Sequence, residues 1–429
     1  MRLFMVLMLL LSSTGVALSQ QALYRTYATQ KVNARLKGAD PALADQQSYV
    51  ERFIEEQKKK LQFKKVTIPV VFHVIYAPGR AYPSEEQVYS QVDALNRDFS
   101  KRAYRIQHPA DTLEGFSRKA EDMEIEFCLA KEGPSGKVEP SIRFIPSTAS
   151  RFSDDDVIKT QRFGSPAWDT ERYLNIWVAS LEDSVSGYAQ MPGGPAETDG
   201  IVIDYRYFGT LGTAQAPYNE GKTLTHLVGN YLGLFDLWGE TPCGDDYVED
   251  TPIHNAPNYG CPQYKHVSLC NETPVEMTMN FMDNTNDACL YMFTLGQKIR
   301  MQTVLAEGGP RYGLVKDDAK CSPKNKDLLG AALLESSAVL SNDTAFKVNI
   351  YPNPATRELT LQLFNTKTGN ATITAFNTLG ALQFSQTYLL GNGNQEFTIN
   401  CQNWNSGFYM FHIETAEGST THRVVIARD

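Results

Sequence analysis

Cysteine is scarce in this chain, with seven residues in 429, too few for a small scaffold stapled by disulfides. No two of them are spaced C-x-x-C, which excludes a zinc ribbon. Basic charge is also short. Forty Lys and Arg face 49 Asp and Glu, a net charge of −9, which argues against a surface for nucleic acid or anionic membrane. Long apolar runs are missing after the first twenty residues. No later stretch reaches 18 uncharged apolar positions, so no transmembrane segment is expected in the mature chain. What is present suits a soluble globular protein. Hydrophobic residues make up 42% and charged residues 21%, enough for at least one sizeable core. The length predicts two to four folded units.

The first residues, MRLFMVLMLLLSSTGVALSQ, carry Arg2, an apolar run from Leu3 to Leu11, and the small-x-small triplet Ala17-Leu18-Ser19. That pattern predicts a secretory signal over 1–19, too short to span a bilayer. An exported chain meets oxidising conditions, so its cysteines are expected to pair. Cys243, Cys261, Cys270 and Cys289 cluster in one stretch, and four cysteines allow three pairings.

Residues 20–65 are polar and helical in pattern. A run opening at Asp40-Pro41 and reaching Gln62 places Tyr49, Val50, Phe53 and Ile54 at helical spacing. It closes on Lys58, Lys59, Lys60, Lys64 and Lys65. These lysines read either as a solvated helix end that complements the macrodipole or as the protease-sensitive junction of a pro-segment. Residues 66–77 form a β-branched run expected to be a buried strand. Residues 84–99 follow an N-capping Ser84 with Val88, Val92, Leu95 and Phe99 on one helical face. Further strands are expected at 124–130, 173–180 and 200–205. The fold class implied for 66–320 is an α/β sandwich. Residues 321–345 read as a linker. From 346 to 429, short alternating segments divided by Asn/Gly turns predict a small antiparallel β-sandwich.

The stretch 222–238, KTLTHLVGNYLGLFDLW, places His226 and Asn230 four apart on one helical face. Gly233 suits a helix-ending C′ position, and Asp236 follows the turn. This segment resembles the active-site helix of the pappalysin-like metzincin metallopeptidases, whose motif is H-E-x-x-H-x-x-G-x-x-H. In that motif three histidines bind Zn²⁺ and the Glu activates the zinc-bound water. Here His226 and Gly233 keep the pattern. Leu227 stands at the Glu position, Asn230 at the second His and Asp236 at the third.

Residues 280–289 resemble the family's Met-turn, with Met282 as the methionine beneath the metal and Asn284 where a Tyr is usual. Residues 187–200 resemble the upper edge strand of its cleft. The resemblance spans about 66–305. It implies an α+β domain with a mixed sheet and an active-site helix, with pairs Cys243–Cys270 and Cys261–Cys289. Family members often carry an Arg-Cys latency pair near the mature N-terminus. The corresponding place here is Arg25-Thr26, and no cysteine precedes Cys128.

Zinc hydrolysis needs three ligands, an open position and a base. Asp236 is an acceptable oxygen ligand, but neutral Asn230 is a poor one. Leu227 cannot take a proton, and general-base loss alone removes roughly 10²–10⁴-fold in rate. Four substitutions remove one function together. The expectation is a pseudopeptidase in which zinc is absent or weak and His226 is a histidine satisfied by hydrogen bonds. The rival is an active zinc metalloendopeptidase using His226, Asp236 and a recruit such as His254. His73, inside a predicted strand, is expected to be structural.

The loop 243–252, CGDDYVEDTP, crowds carboxylates into a few positions, as hard cations require. The resemblance implies structural calcium here, with Asp246 and Thr251 as ligands, the Glu249 carbonyl beside them and Asp250 as a further candidate. A solvated acidic loop is the alternative. Cys128 and Cys321 are left over as a candidate pair, which leaves Cys401 alone. Residues 347–354, KVNIYPNP, and the closing GFYMFHIE hairpin resemble the type A C-terminal sorting domain of the Bacteroidetes type IX secretion system. That resemblance implies export to the medium or the outer-membrane surface of a Gram-negative bacterium. The expected partners are the secretion machinery and a protein or peptide ligand. Such a ligand could add as a strand or be an active paralogue. No nucleic acid is expected, and simple surface or matrix structure is the third reading.

Overall fold

The computed structural model describes residues 24–101, 116, 119–154, 156–182, 185–263, 265–316, 321, 347–352, 355–365, 368–377, 382–391, 393–415 and 418–427. The signal expected over 1–19 and nearly all of the linker lie outside them. Two compact units divide the chain, residues 1–322 and 323–429.

In the first unit, β1 (Val66–Tyr76) is buried from Ile68 to Ile75, as a β-branched strand covered on both faces must be. It pairs in parallel with β2 (Ile125–Leu129), β3 (Ile142–Pro146) and β4 (Leu174–Ala179). Next to β4 lies β6 (Ile201–Asp204), also parallel, and the sheet ends at β5 (Gly187–Ala189), antiparallel to β6. The sheet is therefore mixed, with its one antiparallel strand at the rim. Strand β3 was not anticipated. Its alternating partial exposure gives it a weaker apolar signal than its neighbours.

Two helices position the site. α3 (Glu85–Asp98) starts as expected, with Ser84 accepting from the Gln87 N–H. α4 (Lys222–Tyr231) is buried at all ten positions. Asp98 at the end of α3 binds Lys222 Nζ and Thr225 Oγ1, each at 2.7 Å, so a buried ion pair ties the two helices. Before the sheet come α1 (Thr29–Ala39) and α2 (Ala42–Gln57). α2 stops at Gln57 rather than Gln62, because residues 58–60 form a turn and the chain then runs on without regular structure to Val66. α5 (Leu295–Val304) opens with a capping box between Thr294 and Gln297.

Among the described residues the second unit holds seven antiparallel strands. They are β7 (Lys347–Tyr351), β8 (Glu358–Asn365), β9 (Gly369–Asn377), β10 (Leu382–Leu390), β11 (Gly393–Asn400), β12 (Gly407–Thr415) and β13 (Gly418–Ile426). They form a four-stranded sheet, β10-β9-β12-β13, and a three-stranded one, β11-β8-β7. Leu359, Leu361, Leu363, Ile373, Phe411 and Ile413 fill one core, the period-two pattern of a sandwich. Among the described residues no helix is long and apolar enough to cross a membrane.

Candidate functional site

α4 ends because Gly233 takes φ +91°, a conformation that only glycine adopts without strain. Its N–H donates to the Asn230 carbonyl, and the Leu234 N–H reaches back to the Gly229 carbonyl. Those two bonds make a Schellman motif. The chain reverses there and brings Asp236 back to the helix. The three motif positions meet as the spacing implied: His226 Nε2 lies 3.0 Å from Asp236 Oδ1, and Asn230 Nδ2 lies 3.3 Å from the same oxygen.

What they form is a closed hydrogen-bonded group. His226 Nδ1 lies 2.9 Å from the Phe281 carbonyl oxygen, which can only accept, so Nδ1 carries a hydrogen. The carbonyl fixes the ring so that Nε2 faces Asp236. Leu227, where the base would stand, is fully buried in the main core with Ile201, Ile203 and Val228. Its Cδ1 packs so near Gly187 that a Cβ there would come within 2.7 Å.

The fourth wall is the N-terminal segment. The Tyr27 ring stacks on the His226 imidazole, centroids 3.8 Å apart and nearly parallel. Burial pushes the Tyr27 phenol above its ordinary range. Thr29 Oγ1 donates to Asn230 Oδ1 at 3.1 Å. Gln30 Nε2 donates to the Gly239 carbonyl at 2.8 Å and, at 3.4 Å, to Asp236 Oδ2. Arg25, where the latency pair was placed, is wholly buried. Its guanidinium meets Asp287 at 2.7 Å, Thr223 Oγ1 at 3.3 Å and the Thr285 carbonyl, under the face of Tyr218. Burial pushes the Asp287 carboxyl up, while Arg25 and the N–H groups of Glu220 and Lys222 pull against it. Thr26 and Ala28 pair with the backbone of Ser186 and Gly187, so the segment adds in parallel to β5, with Tyr27 opposite Gly187.

Met282 lies beneath α4, as the Met-turn implied. Its sulfur sits where a Cβ on Gly229 would come within 2.5 Å, so a larger residue at 229 would push the helix off the turn. Asn284 is buried, and its Oδ1 has no hydrogen-bond partner among the described residues. His254 is engaged elsewhere: its Nε2 accepts from the Met277 N–H at 2.8 Å, and its Nδ1 faces Asp283 and Glu276. His73 is structural in its contacts, held between Ser165 Oγ and Asn175 Oδ1 and stacked on Trp177. Burial lowers its pKa to about 3.

In the acidic loop, Asp246 accepts from the Val248 N–H and from Thr251 Oγ1, and Thr251 Oγ1 is also 2.7 Å from the Val248 carbonyl. Burial pushes the Asp246 carboxyl up to about 7. The Glu249 side chain is 94% exposed and faces Lys58. Asp250 caps α5, accepting from Thr294 Oγ1 and the Gly296 N–H. Three disulfides close: Cys243–Cys270, Cys261–Cys289 and Cys128–Cys321. Cys401 is buried and free of a disulfide. Among the described residues, no three His, Cys, Asp or Glu side chains group so as to hold a metal ion.

Sequence reasoning missed Tyr27, Thr29 and Gln30 as parts of this site. They lie about two hundred positions from the residues they touch, as the separation of Thr29 and Asn230 shows, and no periodicity marks them. Thr29 and Gln30 lie in the first turn of α1, and only the fold brings that turn over α4.

The M43 peptidase model, described as pregnancy-associated plasma protein-A, matches residues 154–306. A secretion system C-terminal sorting domain matches residues 349–427. An extracellular metalloprotease of Arthroderma gypseum is 30% identical over 247 residues, 55% of this chain and 71% of that protein. Among solved structures, a mutant of Tannerella forsythia promirolysin is 34% identical with a TM-score of 0.64, covering 70% of this chain and all of that one. Mature mirolysin of Tannerella forsythia, in complex with a cleaved peptide, is 37% identical with a TM-score of 0.58 and covers 61% of this chain and all of that one. The sorting domain and the extracellular relatives mark this protein as secreted or exposed at the cell surface.

Proposed function

This chain belongs to the pappalysin-like M43 metallopeptidase family, and within it we propose a non-catalytic member, a pseudopeptidase with a binding or regulatory role outside the cell. The observation that carries the reading is Leu227, buried in the apolar core where the general base would stand. Beside it the neutral amide of Asn230 is bonded to Thr29, the Leu234 carbonyl and Asp236. The residues present do not fit the family's zinc. Asn230 is a neutral amide, and Leu227 has no proton-accepting group. No hydrolytic step is derived through them.

Calcium is different. Asp246, Thr251 and the Val248 carbonyl already converge their oxygens, and a buried carboxyl pushed up to about 7 is one that a cation would relieve. These residues, with the Glu249 carbonyl as a further donor, would hold a structural Ca²⁺. Its charge would keep the Asp246 carboxyl ionised and the loop between the disulfides ordered. The sorting domain fits handling by a type IX secretion machinery. The ligand class we favour is a protein or peptide.

The test is elemental mass spectrometry of the purified protein after exchange into metal-free buffer, followed by a peptide-library assay. Stoichiometric calcium, no zinc and no hydrolysis are expected. Stoichiometric zinc, with hydrolysis that a chelator and His226→Ala both abolish, would overturn the reading and establish an active metalloendopeptidase with an unorthodox His/Asp site.

A further inference from the structure

The positions that depart from the zinc motif are not idle. Asn230 and Asp236 each bond a residue of the N-terminal segment, and His226 carries the ring of another. From this we infer that residues 24–57 are a permanent structural part of the protein, bound tightly enough to stay in place when the chain is cut behind them. The inference rests on the non-catalytic reading of the same site. A peptidase must clear this cleft to work, whereas a chain that holds no zinc gains nothing by clearing it.

Three sets of contacts, at separate places along the chain, hold the segment. Arg25 is sealed in its ion pair with Asp287 at 0% exposure of both side chains. The backbone at Thr26–Ala28 extends the sheet at β5, which otherwise presents an unpaired edge. Asn33 reinforces that edge, donating to the Ala189 carbonyl and accepting from the Met191 N–H. Farther along, Val50 and Ile54 of α2 pack with Val304 of α5, and Glu51 pairs with Arg300. Removing the segment would strand the Asp287 carboxylate, reopen the β5 edge and leave the Asn230 and Asp236 acceptors short of donors.

The strap behind it has the opposite character. Residues 59, 60 and 62–65 are exposed, and 61–65 have no regular structure. Lys59, Lys60, Lys64 and Lys65 therefore offer the surface at which a protease would cut. The product of such a cut is a two-piece protein held together without a peptide bond.

The experiment inserts a recognition sequence for a site-specific protease between Lys60 and Leu61 of the full chain, cuts it, and dilutes the product on a size-exclusion column. Co-elution of the N-terminal fragment with the remainder is the expected result. Release of the fragment on native dilution would overturn the inference. A Thr29→Val/Gln30→Ala chain, cut in the same way, should lose its fragment roughly tenfold faster, since dissociation rate is where lost contacts register. An unchanged rate would count against the role given to the former zinc positions.

Zinc uptake and peptide hydrolysis are measured on the same cut sample. Release without either defeats only the retention. Release with both defeats the non-catalytic reading as well.

Discussion

At the scale of the residue, the site is decided by what each side chain can donate or accept. His226 meets the Phe281 carbonyl through Nδ1 and Asp236 through Nε2, so each ring nitrogen has a partner within the protein. Arg25 illustrates the cost of breaking such an arrangement. Arg25→Ala leaves the buried Asp287 carboxylate without its counter-ion, which should cost about 3–5 kcal/mol of stability, measurable as a lowered urea midpoint. A loss below 1 kcal/mol would show that the ion pair is not an anchor.

His73 makes a pH prediction. Its pKa is lowered to about 3 in the fold by burial, against an ordinary value near 6.5. Below pH ~6.5 the unfolded chain therefore binds a proton that the folded one refuses, and stability falls as pH falls toward 3, by up to roughly 1.4 kcal/mol per pH unit. Asp246 titrates with the opposite sign, because its raised pKa favours the fold at low pH. The difference between wild type and His73→Gln isolates the histidine. The variant should show the shallower fall between pH 6 and 4 in thermal melts, and parallel curves would refute the assignment.

Among the elements, α4 and its terminal turn hold Gly233 and Met282 in the motif's places while Leu227 and Asn230 stand at its Glu and second His positions. Gly233 still reverses the chain, Gly229 still lets Met282 lie beneath the helix, and Asp236 still returns to His226. Scaffold positions and ligand positions are separate requirements, so one set can persist while the other is replaced. The acidic loop is the element where a metal prediction belongs. A calcium held at about a hundredfold over its dissociation constant contributes about 2.7 kcal/mol. Removing it with a chelator should lower the melting temperature of this unit by about 4 °C. Asp246→Asn should abolish the chelator's effect. A melt indifferent to the chelator in the wild type would make this a solvated acidic loop.

For the whole molecule, the division into two units, residues 1–322 and 323–429, separates the tasks. Each has its own core, so the same chelation should leave the unfolding of the C-terminal sandwich unchanged. That sandwich carries the sorting match over 349–427. The first unit carries the metallopeptidase match and, beyond it, the N-terminal segment that lies over the site. The likeness to promirolysin covers 70% of this chain against 61% for mature mirolysin. Export and whatever the cleft does therefore rest on different parts of the chain.

Much of this was legible from residues alone, for a physical reason. Helical and strand periods are local, so Ser84 with its helix, the run at 66–77 and the alternating C-terminal segments announce themselves within a dozen positions. The motif departures Leu227, Asn230 and Asp236 are local too, and the proposal of a non-catalytic site follows from the donors those side chains carry. The disulfide pairs among the four clustered cysteines came only through family resemblance, because spacing leaves three pairings open. Strand β3 was hidden by its partial exposure. Tertiary structure alone decided what lies against the motif positions. Tyr27, Thr29 and Gln30 reach His226, Asn230 and Asp236 across about two hundred residues. Such a meeting is set by how the sheet edge at β5 is satisfied, and no local pattern in the sequence encodes it.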